Sequence, residues 1–503
     1  PCPNSAPSSS TKATLCKFSR MGIRIIIPGP KDFAHNVIND YRLTSAICEE
    51  LGISMRGFNV AHLASLEKLT VNQSKINNLR GLEHATDLTE LGLSENDISD
   101  IPPLADLTNL KTLGLARNQI CDITPLANLT NLTELNLGSS CNQITNFSPL
   151  AELTNLKTLF LWGNPINDIT PLARLSNLEK LVLVDNDFTN ISPMAGLADI
   201  SPLAGLTNLR YLSLQLFGTC PAHPSDYRHQ FPFLSPQGNL NLSPLGNLKN
   251  LRHLSLQGGS DILAYILFNT FHLVDISPLA RLTQLETLDL SALAVDDISP
   301  LAKLTNLKRL DLSGVHFLAD ISPLKKLTRL EGLILSGSGL CVDDISPLAN
   351  LTQLEILDIS DLAVDDISLL AKLLDLVDLT ITIPHEPRTS LFTTLEGLKN
   401  LEFLTISNGD SADFTELARL PQLPQLSLHL KGISDLQPLS KLRNLSALHI
   451  FSNRISDVMP LAGLPNLQQL SIRSDKIPDD QVEMLKGALP NCRIRMKGLL
   501  PQV

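Results

Sequence analysis

Residues 107–128 read LTNLKTLGLARNQICDITPLAN. With Leu107 as position 1, Leu or Ile recurs at positions 4, 7, 9, 14, 17 and 20, as Leu110, Leu113, Leu115, Ile120, Ile123 and Leu126. Leu113 and Leu115 are two residues apart, so both point to one face of a short strand. The pattern returns with a period of 22, and position 7 can be followed from Leu69 through Leu135, Leu159 and Leu254 to Leu470 in 17 turns. One such turn cannot bury its own apolar face, so the turns must stack into a solenoid with a continuous core. At ~4.8 Å between neighbouring strands, the stack predicts a curved parallel sheet roughly 80 Å long.

The polar positions fit the same geometry. Position 12 is often Asn (Asn96, Asn118, Asn142, Asn164, Asn186 and Asn453), and a buried Asn there can bond backbone groups of its own and adjacent turns. The ISPL and ITPL segments that follow place Ser or Thr before Pro. This fits an N-cap and first-turn Pro for a brief helical or 3₁₀ segment on the outer side.

These turns, with LANLTNLTELNLGSSCNQITNFSPL (126–150) as a good example, resemble the 22-residue bacterial leucine-rich repeats of the internalin type. The resemblance covers about residues 63–480. It implies an α/β solenoid, an arc or horseshoe with a concave parallel sheet and short 3₁₀ turns on the convex side. It also implies a face that binds a partner protein, with no catalysis by the repeats. The expected organisation is a tail over 1–39, a helical cap over 40–62, the solenoid over 63–480 and a C-terminal cap over 481–503. In the first cap Asp40 stands before a helical face of Leu43, Ile47 and Leu51.

Composition bounds the function. The chain of 503 residues carries a formal net charge of −11, which argues against a nucleic-acid surface. No run of 18 apolar residues exists, so no membrane-spanning helix is expected. The chain begins at Pro1, which leaves open a processed form, a fragment or a start at Met21. A secreted or surface location is favoured over the cytoplasm. GxGxxG, Walker, HExxH and GxSxG motifs are all missing, so no enzyme and no cofactor is expected. The eight cysteines lack zinc-ribbon or CxxC spacing and read as free thiols, with Cys121 and Cys141 the one candidate disulfide.

The period breaks most strongly at two consecutive turns, with insertions at 215–239 and 257–275. Their aromatic residues suggest a small lobe or a binding ridge. The first insertion holds Cys220, His223, Asp226 and His229, a candidate metal set weakened by four prolines and a spacing that fits no standard site.

Positions 6, 8 and 10 flank the buried leucines and face the concave side. Turns 5–8 place Phe160, Trp162, Val182, Val184, Tyr211 and His253 there, in a chain that is 4% aromatic and has one Trp. Clustered aromatics on a curved face are typical interface anchors, so these six are the candidate partner-binding residues. A protein partner is expected, with a sugar stacked on Trp162 as the lesser alternative. His429, His449 and Phe451 form a secondary patch, and Asp289, Asp311 and Asp358 form a column read as hydrated rather than calcium-binding. Two further alternatives are a structural or adhesive spacer and an intracellular effector.

Overall fold

The structure is a computed structural model. It describes residues 37–496 except 140, 167, 185–198, 216–240, 259–272, 316, 338–339, 363, 365, 383–390, 408–414, 431, 453 and 475. Most of the tail, the bodies of both insertions and the Cys220, His223, Asp226 and His229 set lie outside the described residues, as do Asn186 and Asn453.

Among the described residues, 18 short strands form one parallel sheet in chain order, each paired with the next. The first is β1 (Lys68–Thr70) and the last β18 (Arg493–Met496). Position 7 lies opposite position 7 in successive turns, as in Leu69 with Leu91 and Leu159 with Leu181. This constant register keeps every LxL pair on the core side. The leucines at positions 1, 4, 7, 9 and 20 are essentially inaccessible and merge into one core along the solenoid.

Two ladders of asparagine tie the turns together. Inside, Asn118 accepts from the Ile98 amide at 3.1 Å and donates to the carbonyls of Leu93 (2.9 Å) and Leu115 (3.1 Å). Asn96 and Asn142 repeat this pattern. A second ladder uses the Asn of LTNL at position 3, whose amide donates to the carbonyl of position 2 one turn earlier. Asn109 to Thr86, Asn131 to Thr108 and Asn177 to Thr154 are each 2.9 Å.

Most of the outer 3₁₀ segments begin at Ser or Thr with Pro next, but their cap differs from the sequence expectation. Ser and Thr are the first residues of the segments, and the preceding Ile makes no side-chain cap. The acceptor is the side-chain oxygen two residues before the Ser or Thr, an Asp carboxylate in most turns and the Asn146 or Asn241 amide in two. Asp168 accepts from the Thr170 amide at 2.8 Å and Asp297 from Ser299 at 2.7 Å. Asp has the shorter reach back to that amide, which leaves the hydroxyl free to add a second bond, as Ser299 does to Asp297. These bonds hold the carboxyls of Asp122, Asp168, Asp199 and Asp320 below the usual range.

At one end α1 (Tyr41–Glu50) starts at Asp40, which accepts from Arg42, and buries Leu43, Ile47 and Cys48 against the first turns. At the other, the helix Asp479–Ala488 buries Leu485 and leads into β18.

Candidate protein-binding face

Four neighbouring strands carry the face: β5 (Thr158–Phe160), β6 (Lys180–Leu183), β7 (Tyr211–Gln215) and β8 (His253–Gln257). Leu159, Leu161, Leu181, Leu183, Leu212 and Leu214 are buried, which turns the alternate residues to the concave side. Phe160, Trp162, Val182, Val184, Tyr211 and His253 are all half-buried there.

Register brings four of these strands into a row. Lys180 lies opposite Tyr211, Tyr211 opposite His253, and Phe160 opposite Val182. The Lys180 ammonium sits 4.9 Å from the Phe160 ring centre and 4.8 Å from that of Tyr211, held between two π faces. The Tyr211 and His253 rings follow at 5.7 Å, tilted by 37°. Lys180 is a member of the site that sequence reasoning missed. Taken alone, a lysine at position 6 reads as solvated surface; the signal was an aromatic at position 8 of the turn before and another at position 6 of the turn after.

The Trp162 indole leans back over Gly138 of the preceding turn, occupying the space a Cβ would need there. Across Gly138 it meets Arg117, whose guanidinium carbon is 5.7 Å from the ring centre. Arg117 holds a left-handed backbone (φ 54°) and is 3.5 Å from Glu95. The only glycine at position 10 in these turns thus creates the seat for the only tryptophan.

At β7 the concave side is closed to solvent: Ser213 and Gln215 are 6% and 7% exposed. The accessible part of the face is therefore the row at position 6 with Phe160, Trp162, Val182 and Val184 beside it. Beyond β8 the surface becomes acidic. Asp289 accepts from Ser255 at 2.9 Å, Gln257 at 3.1 Å and the Ser291 amide at 2.9 Å. Asp311 and Asp358 accept from the amides of Ser313 and Ser360. Burial, with Asp289 and Asp358 nearby, pushes the Asp311 carboxyl up, and burial beside Asp358 does the same to Asp378. Among the described residues no group of three His, Cys, Asp or Glu is arranged to hold a metal ion.

The secondary patch is assembled by β15 (Gln425–His429) and β16 (Ala447–Phe451). His429 lies opposite Phe451 with rings 4.4 Å apart and bonds Ser427 at 2.9 Å, while His449 lies opposite Ser427. Desolvation, then the neighbouring His449, lowers the His429 pKa. Phe451 is 39% exposed. Cys121 and Cys141 are both exposed, and the candidate disulfide between them is not formed here.

A family model described as leucine-rich repeats (2 copies) matches residues 86–128, 115–152 and 154–194. The chain is a leucine-rich repeat protein. No curated protein matches its sequence. Among solved structures this leucine-rich repeat protein is similar to the internalin inlF of Listeria monocytogenes, with 26% identity, 82% of this chain and 95% of that chain covered, and a TM-score of 0.53. A leucine-rich repeat protein of Leptospira interrogans shares the fold at 19% identity, 86% and 97% coverage and a TM-score of 0.55. The functional domain of InlJ from Listeria monocytogenes does so at 20%, 80% and 82%, and 0.53. The repeats are of the internalin type. Leucine-rich repeat solenoids generally act in protein–protein interaction, as scaffolds with extended concave surfaces rather than as enzymes. No described helix is long and apolar enough to cross a membrane.

Proposed function

We propose that this chain captures a protein partner on its concave face at turns 5–8, through Phe160, Trp162, Val182, Val184, Tyr211 and His253. The observation that carries this reading is the row Phe160–Lys180–Tyr211–His253, in which rings and a cation are stacked on the accessible side of the sheet. Such rings are already held in place, so little side-chain entropy is lost when a partner covers them, and aromatic anchors of this kind dominate interface energies. His429, His449 and Phe451 supply a second, smaller contact toward the C-terminal end. The role is binding, without catalysis.

The test is capture from the native environment by the intact chain and by a Phe160→Ala/Trp162→Ala variant. Both side chains are half-buried on the sheet surface, so the variant keeps the leucine core and is expected to stay folded, with a modest loss of stability from the missing Trp162–Arg117 contact. Loss of two anchors of roughly 2 kcal/mol each should weaken capture about a thousandfold. Undiminished capture by the variant would sink the concave reading and leave the spacer alternative.

A further inference from the structure

From turn 5 to turn 11 the charged edge of the sheet pairs its ions turn by turn, with one exception among the described residues. Position 5, just before each strand, carries Lys157, Glu179, Arg210, Arg252, Glu286, Lys308 and Glu331 in successive turns. Lys157 pairs with Glu179 at 3.5 Å, Arg252 with Glu286 at 2.7 Å and Lys308 with Glu331 at 3.6 Å. Arg210 falls between the first two pairs and has no carboxylate within ion-pair distance among the described residues. It is exposed, in the middle of an edge groove of about 440 Å³ that Lys157, Glu179, Arg210 and Arg252 line with the amides of Asn208 and Asn250. Each of those amides gives one N–H to a carbonyl, Asn208 to Ser176 and Asn250 to Thr207, both at 2.9 Å, and the guanidinium is the groove's cation without a carboxylate among the described residues.

One turn away, at the same end of the neighbouring strand, Lys180 also has no carboxylate partner among the described residues and is held instead by Phe160 and Tyr211. Arg210 directly precedes Tyr211, so the two unpaired cations straddle the rim between the edge groove and the concave row. In a chain of net charge −11, this is a local reversal of sign.

We infer that the rim at β6 and β7 binds an acidic peptide segment of the protein partner, with one carboxylate on the Arg210 guanidinium, another on the Lys180 ammonium and apolar side chains on Phe160 and Tyr211. A planar carboxylate matches the two-pronged guanidinium. A dense polyanion fits less well, because Glu179 and Glu286 interrupt the cations along the edge. The inference rests on the concave reading above, since it extends that site over its rim.

The experiment titrates the full chain against three short fluorescein-labelled peptides in which Phe alternates with Asp, Asn or Lys, followed by anisotropy and by Trp162 emission, with a sulfated oligosaccharide as competitor. The Asp peptide is expected to bind best and to weaken as salt is raised. Arg210→Gln and Lys180→Gln should each weaken it about tenfold while leaving the Asn peptide unchanged. Equal binding of the Asp and Asn peptides, unchanged affinity in both charge variants, displacement by the oligosaccharide at lower concentration than by the Asp peptide, or no binding of any peptide would each overturn the inference. The Phe160→Ala/Trp162→Ala variant separates the two readings. If it loses every peptide while the charge variants lose none, the acidic segment fails and the concave site stands. If it loses none while the charge variants lose the Asp peptide, the rim stands and the aromatic anchors fail.

Discussion

In turns 2–5 the residue at position 12 is Asn96, Asn118, Asn142 or Asn164, whereas in turns 9, 10 and 12 it is Leu293, Val315 or Leu362, and all seven are buried. In the first region the chain leaves the strand along a line of amides that answer the backbone groups of two turns at once. In the second region the turn closes on itself: the Leu293 amide bonds Leu290 at 3.3 Å and the Val315 amide bonds Leu312 at 3.2 Å. There a concave Asp also takes the amide two residues on, as Asp311 does with Ser313. Both arrangements give the carbonyl at position 9 a partner, the side-chain amide of Asn in one region and the backbone amide of position 12 in the other. A repeat consensus therefore hides two internally consistent exits that cannot be exchanged one residue at a time.

The largest effect should come from forcing that exchange. Asn118→Leu leaves the Ile98 amide and the carbonyls that Asn118 served without partners. It should cost roughly 3 kcal/mol or more in urea unfolding, while Val315→Asn at the corresponding position, where no amide ladder waits for it, should cost a similar amount. If either substitution is neutral, the two exits are interchangeable and the distinction collapses. Gly138→Val comes next, because a side chain there must displace the Trp162 indole. A destabilisation of about 1–3 kcal/mol is expected, with a red shift of the single Trp emission. Unchanged emission would show that the indole does not rest on Gly138.

A smaller gain is expected at the left-handed position after the strand. Ala292 sits at φ 57°, where Gly pays no Cβ penalty, so Ala292→Gly should stabilise by up to about 1 kcal/mol. The smallest effects are electrostatic, and the two carboxylate classes carry opposite signs. Asp122, Asp168, Asp199 and Asp320 have lowered pKa values in the folded chain. Their contribution is present above the ordinary carboxylate pKa and is lost as pH falls through the folded values. Asp311 and Asp378 are raised, so their contribution is full below the ordinary value and is lost as pH rises through the folded ones. Asp311→Asn should therefore raise the melting temperature slightly at neutral pH and lose that advantage in acid, whereas Asp168→Asn should flatten the acid loss. Parallel pH profiles for the two variants would remove the distinction.

Periodicity made the core, the strand register and the concave positions readable before any coordinates, since a run of 17 matched leucines leaves one way to stack. It also made the inner Asn ladder readable, because a polar residue confined between leucines must find backbone partners. What it did not convey was anything decided between turns. The lean of Trp162 depends on Gly138 beside it and Arg117 two turns back. Lys180 joins the site through rings on both neighbours, and Arg210 matters because the ions around it pair without it. Ser or Thr before Pro reads as the cap in the sequence, although the carboxylate two residues earlier has the better reach.

Stacked repeats ordinarily hold only their immediate neighbours, so fraying at one end can advance a single turn at a time. The Arg117 guanidinium resting on Trp162 breaks that rule, because it joins the third turn to the fifth over a fourth that contributes only a hydrogen atom where a side chain would stand. Turn 4 cannot peel away without lifting the lid above it. The contact couples these three turns, and the last of them carries Phe160, the first member of the proposed binding row.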